Sequence, residues 1–264
     1  MVERKSLFSR YIYPLLIVMG YTFIYLPIFV LIIFSFNKSK IPVEWTGFSL
    51  KWYAKLFSSS EIINAFKNSM IVALASSFLS VMIGTCLVVS SKWWRNQFIF
   101  SFFMPNLFVP DIIVAIGILN LFSILKIPLG LGSLIVGHTL IGLIFVIQIV
   151  KARYLEIDPF LTEASLDLGA TYYQTFRLVL FPLLKSAIVP AALITFTLSL
   201  DDYLIALFCS GPEVQTLSVY TFVSIRSSLD PTVNALATCM LAISSIIVII
   251  AAALNLTNQV IKHD

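Results

Sequence analysis

Charge is what this 264-residue chain has least of: Asp, Glu, Lys and Arg make up 11% of it, against about a quarter of an average soluble domain. With 59% hydrophobic residues and a mean hydropathy of +0.98, the composition excludes an ordinary water-soluble globule. Cysteine is scarce and odd in number. Cys86 and Cys239 lie inside apolar runs and Cys209 near the end of another, so the three thiols do not suggest a disulfide framework. Ten glycines without fixed spacing exclude a collagen-like chain, and 22 Phe with 10 Tyr exclude a disordered one. A net charge of +4 is too small and too dispersed for a nucleic-acid binder. A phosphate-binding loop of the form G-x-x-x-x-G-K-[ST] is missing as well. Gly137 and Gly142 have its spacing, but Leu143 and Ile144 stand where Lys and Ser or Thr are required. If ATP drives this protein, a separate polypeptide must hydrolyse it.

What is present is a series of continuous apolar runs at about 13–36, 64–91, 97–121, 133–150, 186–208 and 233–254. Continuity predicts helices, because barrel strands alternate apolar and polar residues over about ten positions. Six helices of about 20 to 24 residues, each crossing a hydrocarbon core about 30 Å thick, use roughly half of the length. The expectation is therefore an all-α membrane protein with one transmembrane domain over residues 1–264. The first run follows Arg4, Lys5 and Arg10 and is uncharged from Tyr11 to Asn37, too long for a signal-peptide core, so it reads as an uncleaved first span. With the N-terminus inside, the inner segments carry ten Lys and Arg and the outer segments seven, which favours cytoplasmic N- and C-termini. Trp93 and Trp94, beside Lys92 and Arg95, suit a headgroup boundary. Ser76, Ser80 and Gly84 stack small side chains on one face of the second span, as close packing against a neighbouring helix of the same chain requires. Pro105, Pro110 and Pro190 each remove a backbone donor and invite a kink.

The inner loop at 151–185 is the most charged stretch of the chain. Asp158 and Pro159 can open a helix as N-cap and first residue. Leu161, Ala164 and Leu168 then form an apolar face opposite Glu163 and Asp167, so the helix is expected to lie against the membrane surface. Gly169 should end it, and Thr171 can cap a second helix through Tyr172, Phe176 and Val179 up to Pro182. The order Glu163-Ala164-Ser165, three residues, Gly169, nine residues, Val179-Leu180-Phe181-Pro182 resembles the EAA motif of permease subunits of bacterial ABC importers. Ser165 replaces the motif's second Ala, and Val179 and Phe181 replace Ile and Leu, with size or apolarity kept. In that family the first helix is the coupling helix, which sits in a cleft of the ATPase. The resemblance therefore implies that Glu163, Ala164, Ser165, Gly169 and Pro182 couple this chain to an ATPase, within a type I importer (MetI-like) architecture.

Three carboxylates fall inside the apolar runs: Asp111, Asp201 and Asp202. Left unpaired, they would cost roughly 8 to 10 kcal/mol on the insertion scale, and no Lys or Arg shares their spans. Counted from Gln97 and Ser186 along continuous helices, Asp111 and Asp201 reach one level, about 21 to 23 Å above the inner face. Such an arrangement asks for a cation: a proton, a metal ion or an organic amine. Hydrogen bonding to neighbouring helices is the competing account. A metal would need more convergent ligands than His138, the one membrane histidine, near the start of span four. Tyr203, with Phe108 and Phe196 nearby in sequence, could face an ammonium group.

The stretches PDIIVAI, FTLSLDDYLIALFCSGP and VNALAT, with the loop, are similar to the permeases of bacterial spermidine/putrescine importers over nearly the whole chain. That resemblance implies a sister permease (PotB-like), a dimer of ATPase subunits (PotA-like) and a periplasmic polyamine-binding protein (PotD-like). ATP and Mg would be bound by the ATPase and no cofactor by this chain, which would itself be a transport subunit of the inner membrane and not an enzyme. An ion- or proton-coupled carrier of organic cations is the alternative. It gives the EAA-like loop no role, and no pair of broken spans is visible in the sequence. An intramembrane diacid protease built on Asp111 and Asp201 would need a substrate groove, and no glycine-rich motif accompanies either residue.

Overall fold

A computed structural model describes residues 7–40, 44–94, 109–227 and 230–260. Among them every regular element is helical, and the β geometry is confined to one isolated bridge between Asn37 and Phe48. In chain order the helices are α1 (Leu7–Ser35), α2 (Lys51–Ser58), α3 (Ser60–Trp94), α4 (Asp111–Ile124), α5 (Leu131–Leu155), α6 (Pro159–Asp167), α7 (Tyr172–Asp201), α8 (Leu204–Cys209), α9 (Leu217–Ser227) and α10 (Thr232–Val260). Four contain stretches long and apolar enough to span a membrane: Ile12–Ser35, Ser60–Ser90, Leu131–Leu155 and Tyr172–Asp201. Two shorter apolar helices, Asp111–Ile124 and Thr232–Ile246, stand where the third and sixth spans are expected.

The differences from the sequence reading are concentrated at the aspartates. The third span was expected to run unbroken through Asp111, but α4 begins at that residue, after Pro110, which is held at φ −56°, ψ 133°. Proline disfavours helical geometry in the residue before it, so Val109-Pro110 starts a helix rather than kinking one. Pro105, Phe108 and Gln97 lie outside the described residues. The fifth span is interrupted. Asp202 is extended (ψ 124°) and separates α7 from the short α8. One run that looked continuous in the sequence is thus interrupted beside a carboxylate, and in another the helix after Pro110 starts at one. The charged loop is shorter than expected, because α5 continues to Leu155 and α7 already starts at Tyr172. Pro182 does not stop that second helix. A π-helical turn at Phe176–Leu180 precedes it, and the widened ladder absorbs the donor that proline lacks.

By contacts the chain forms two compact units. In the unit made by residues 60–222 and 243–264, α3 packs on α5 and α7. Lipid provides no hydrophobic drive between helices, so close approach and interhelical hydrogen bonds must hold them. Both occur on the small-residue face. A Cβ on Gly84 would stand 2.7 Å from Val146 Cγ1. Ser80 Oγ donates to the Thr139 carbonyl at 3.0 Å, and Ser77 Oγ to the Ala192 carbonyl at 2.7 Å. The stripe is intramolecular packing, as expected. Pro190 lies inside α7 without ending it. In the other unit, residues 1–59 with 223–242, Asn37 organises the turn after α1. Its carbonyl accepts from the buried Trp52 indole at 2.7 Å and its Oδ1 from Thr46 N at 3.0 Å. The three cysteines are free thiols.

Candidate functional site

The acidic site is built around the break after α7. Asp202 turns its carboxylate over the start of α8, where Oδ2 accepts from Ala206 N at 3.0 Å, while its carbonyl accepts from Ser218 Oγ at 2.6 Å. The base of α9 is fixed in turn by α3, through Ser69 Oγ accepting from Leu217 N at 2.8 Å and Asn68 Nδ2 donating to the Gln215 carbonyl at 3.0 Å. α8 packs on α4, over a core that includes Ala115, Ile118, Phe122, Leu134 and Ile205. That contact sets the helix opened by Asp111 against the helix that follows Asp202. Asp111 sits in the first turn of its helix, where the helix dipole favours an anion.

Of the predicted pathway residues, then, Asp111 and Asp202 both sit at helix ends, Asp111 opening α4 and Asp202 preceding α8, which packs on it. Asp201 is the exposed last residue of α7. Tyr203 is half-buried, and its ring lies 4.1 Å, centroid to centroid, from Phe222, so one of its faces is already covered. Phe196 is buried within α7. The residue that the sequence underrated is His138. Its Nε2 lies 3.6 Å from Asp202 Oδ2, and its Nδ1 is 2.7 Å from Ser199 Oγ. In the linear chain it is a lone histidine, 64 residues before its partner. Among the described residues no three His, Cys, Asp or Glu side chains converge as metal ligands would.

The second site is the loop. Asp158 caps α6 by accepting from Phe160 N at 2.9 Å, with Pro159 as first residue. Leu168 and Gly169 close the helix by the glycine motif with two crossing bonds: Ala170 N to the Ser165 carbonyl at 3.1 Å and Gly169 N to the Leu166 carbonyl at 2.9 Å. Gly169 takes φ +88°. Thr171 and Gln174 then form the capping box of α7. The expected apolar face of α6 points outward. Phe160, Leu161, Ala164 and Leu168 are exposed, with Leu168 at 89%, while Thr162, Ser165 and Leu166 turn inward. Ser165, the departure from the motif, supplies the fastening, with its Oγ 2.8 Å from Thr175 Oγ1 at the start of α7. Glu163 is exposed at the rim of a cavity of about 770 Å³ that Tyr154, Tyr172 and Phe176 also line. Pro182 follows the π turn at the point where α7 leaves the loop.

A family model described as "Binding-protein-dependent transport system inner membrane component" matches residues 76–261. The chain belongs to this family. It is therefore a multi-pass inner-membrane permease component of an ABC importer, with an all-helical fold. Among curated relatives, the spermidine/putrescine transport system permease protein PotC of Escherichia coli K12 is 34% identical over 232 residues, covering 87% of this permease and 88% of the relative. The putrescine transport system permease protein PotI of the same organism is 34% identical over 247 residues, covering 89% and 88%. PotC of Haemophilus influenzae is 32% identical over 242 residues, covering 90% and 94%. A chain of the inward-facing MetNI methionine ABC transporter superposes with a TM-score of 0.58 at 21% identity, covering 75% of this permease and 98% of that chain. At that identity the match speaks for the fold, which is MetI-like.

Proposed function

We propose that this permease carries polyamines, putrescine or spermidine, through the bacterial inner membrane as one subunit of an ATP-driven importer. The observation that carries the reading is the placement of two carboxylates at helix ends within the apolar domain, Asp202 at the break after α7 and Asp111 at the start of α4, on which α8 packs. Carboxylates in a low-dielectric passage can replace the hydration that a flexible di- or triammonium chain gives up. Broken helices are also where membrane carriers place backbone and side-chain ligands. The names of the relatives agree with the sign and class of this substrate. Asp202 takes the central role, with Asp111 and Asp201 flanking it and Tyr203 offering the free face of its ring.

In this reading the exposed apolar side of α6 enters a cleft of a separate ATPase, which binds ATP and Mg, and Glu163 and Gly169 pass its motion to α7. The remaining partners are a sister permease and a periplasmic binding protein that delivers the polyamine, and both chain termini are cytoplasmic. Exchange of each Asp for Asn keeps shape and removes charge. In proteoliposomes holding the whole transporter, Asp202→Asn should lower uptake of labelled spermidine and putrescine at least about tenfold, while assembly and ATP hydrolysis persist. Asp111→Asn and Asp201→Asn should have smaller effects. Wild-type uptake by the triple Asn variant at equal expression would make the carboxylates purely structural.

A further inference from the structure

His138 projects from α5 toward the acidic break with its side chain 3% exposed. Its Nε2 is buried and has no hydrogen-bond partner among the described residues, while Asp202 Oδ2 stands 3.6 Å away, beyond the roughly 2.7 to 3.2 Å of a made bond. A dry, unpaired polar nitrogen is costly, so its retention against a carboxylate calls for an explanation. Two close approaches place it there. A Cβ on Gly137 would stand 2.9 Å from Ile205 Cγ2, so α8 lies directly against α5. On the other side Ser76 Oγ donates to Ser199 Oγ at 3.3 Å, and Ser199 Oγ meets His138 Nδ1 at 2.7 Å.

The neighbouring carboxylate assigns the proton. Ser199 Oγ can serve Nδ1 as donor or acceptor, and when its hydroxyl proton points to Nδ1 the neutral ring carries its own proton on Nε2. The other tautomer would set a lone pair against the Asp202 carboxylate and be repelled by it. Asp202 Oδ2 already accepts from Ala206 N, and the carboxylate retains acceptor capacity for one more donor.

We infer that His138 is a positioning residue for Asp202: its neutral Nε2–H, 3.6 Å from the carboxylate, closes on it to hold it at the helix break between transport events and yields it to an arriving ammonium group. Neutrality is the point of using histidine. A Lys or Arg at this place would form a lasting ion pair and cancel the charge that attracts the substrate, whereas a neutral donor orients the carboxylate and leaves it anionic. The inference rests on the reading that Asp202 lines the passage.

The test uses the complete transporter in proteoliposomes, with labelled spermidine as probe and His138→Gln, His138→Asn, His138→Leu and Asp202→Asn as variants. The Gln amide nitrogen reaches about where Nε2 lies, while that of Asn stops near Nδ1. His138→Asn and His138→Leu should lower uptake about tenfold, the loss expected for one hydrogen bond to a charged group. His138→Gln should stay within about twofold of wild type on the same scale. If the Leu variant fails to assemble, the contrast between Gln and Asn decides. Equal uptake by Gln and Asn, or wild-type uptake by all three, overturns the positioning role. Wild-type uptake by Asp202→Asn instead removes the underlying reading, so the two failures are distinguishable.

Discussion

At the scale of single residues, Gly169 shows how conformation and crowding separate. Its φ of +88° is a region that L side chains rarely adopt, yet nothing lies within 4 Å of where a Cβ would be. Gly169→Ala should therefore cost only backbone strain, about 1 kcal/mol, and leave membrane insertion intact. If the bend transmits ATPase motion, this variant and the bulkier Gly169→Leu should hydrolyse ATP with less uptake per turnover. An unchanged ratio of uptake to hydrolysis in both would remove Gly169 from the coupling path. The glycine was legible in the sequence because its role is local. Ser165 was legible only as a tolerated swap, since its partner Thr175 becomes a neighbour through the turn that Gly169 makes.

At the scale of elements, α2 and the segment before α10 are tied by one ion pair outside the apolar spans, Lys55 Nζ to Asp230 Oδ2 at 2.6 Å. Partial burial pushes the Asp230 carboxyl up, but hydrogen bonds from Lys55 and Thr232 and the Lys55 charge outweigh it and hold the group below its ordinary value. A depressed folded value means the pair contributes stability at neutral pH and loses it as pH falls below the usual carboxylate range, through the folded value. Both partners are partly exposed, so Asp230→Asn should cost only about 0.5 kcal/mol near pH 7. The difference from wild type in thermal unfolding of the purified protein should vanish in strong acid. A penalty that persists there would assign the effect to the Thr232 hydrogen bonds instead. The same scale explains the interrupted span. Hydropathy reports that residues 97–121 and 186–208 are apolar, but the break after α7 depends on Ser218 and Ala206 receiving Asp202, contacts that a linear pattern does not contain.

At the scale of the whole molecule, orientation follows from the charged loop. In the proposed arrangement α6 and the exposed Thr171 face the cytoplasm. Thr171→Cys should resist an impermeant thiol reagent in intact cells and react once the inner face is opened. Labelling in intact cells would reverse the topology and detach the loop from any ATPase. Burial where the loop enters α7 supports its stability without that partner, because Thr175 and Leu180 are buried while α6 presents Phe160 and Leu168 outward. Phe160, Leu161, Ala164 and Leu168 give α6 an apolar outer face, which the sequence assigned to the membrane surface and the proposed arrangement assigns to the ATPase cleft.

Composition and periodicity were enough to determine an all-helical membrane chain, the capped helix at Asp158, the bend at Gly169 and the small-residue face of α3. Each depends on residues within a few turns of one another or on the solvent that a segment prefers. Tertiary structure decided the rest: that α8, after Asp202, packs on the helix Asp111 opens, that Tyr203 is covered by Phe222, and that His138 stands against Asp202. Those relations join helices far apart in sequence. They are fixed by how closely α3, α5 and α8 approach at Gly84 and Gly137, where a missing Cβ sets the distance, and no local pattern encodes that distance.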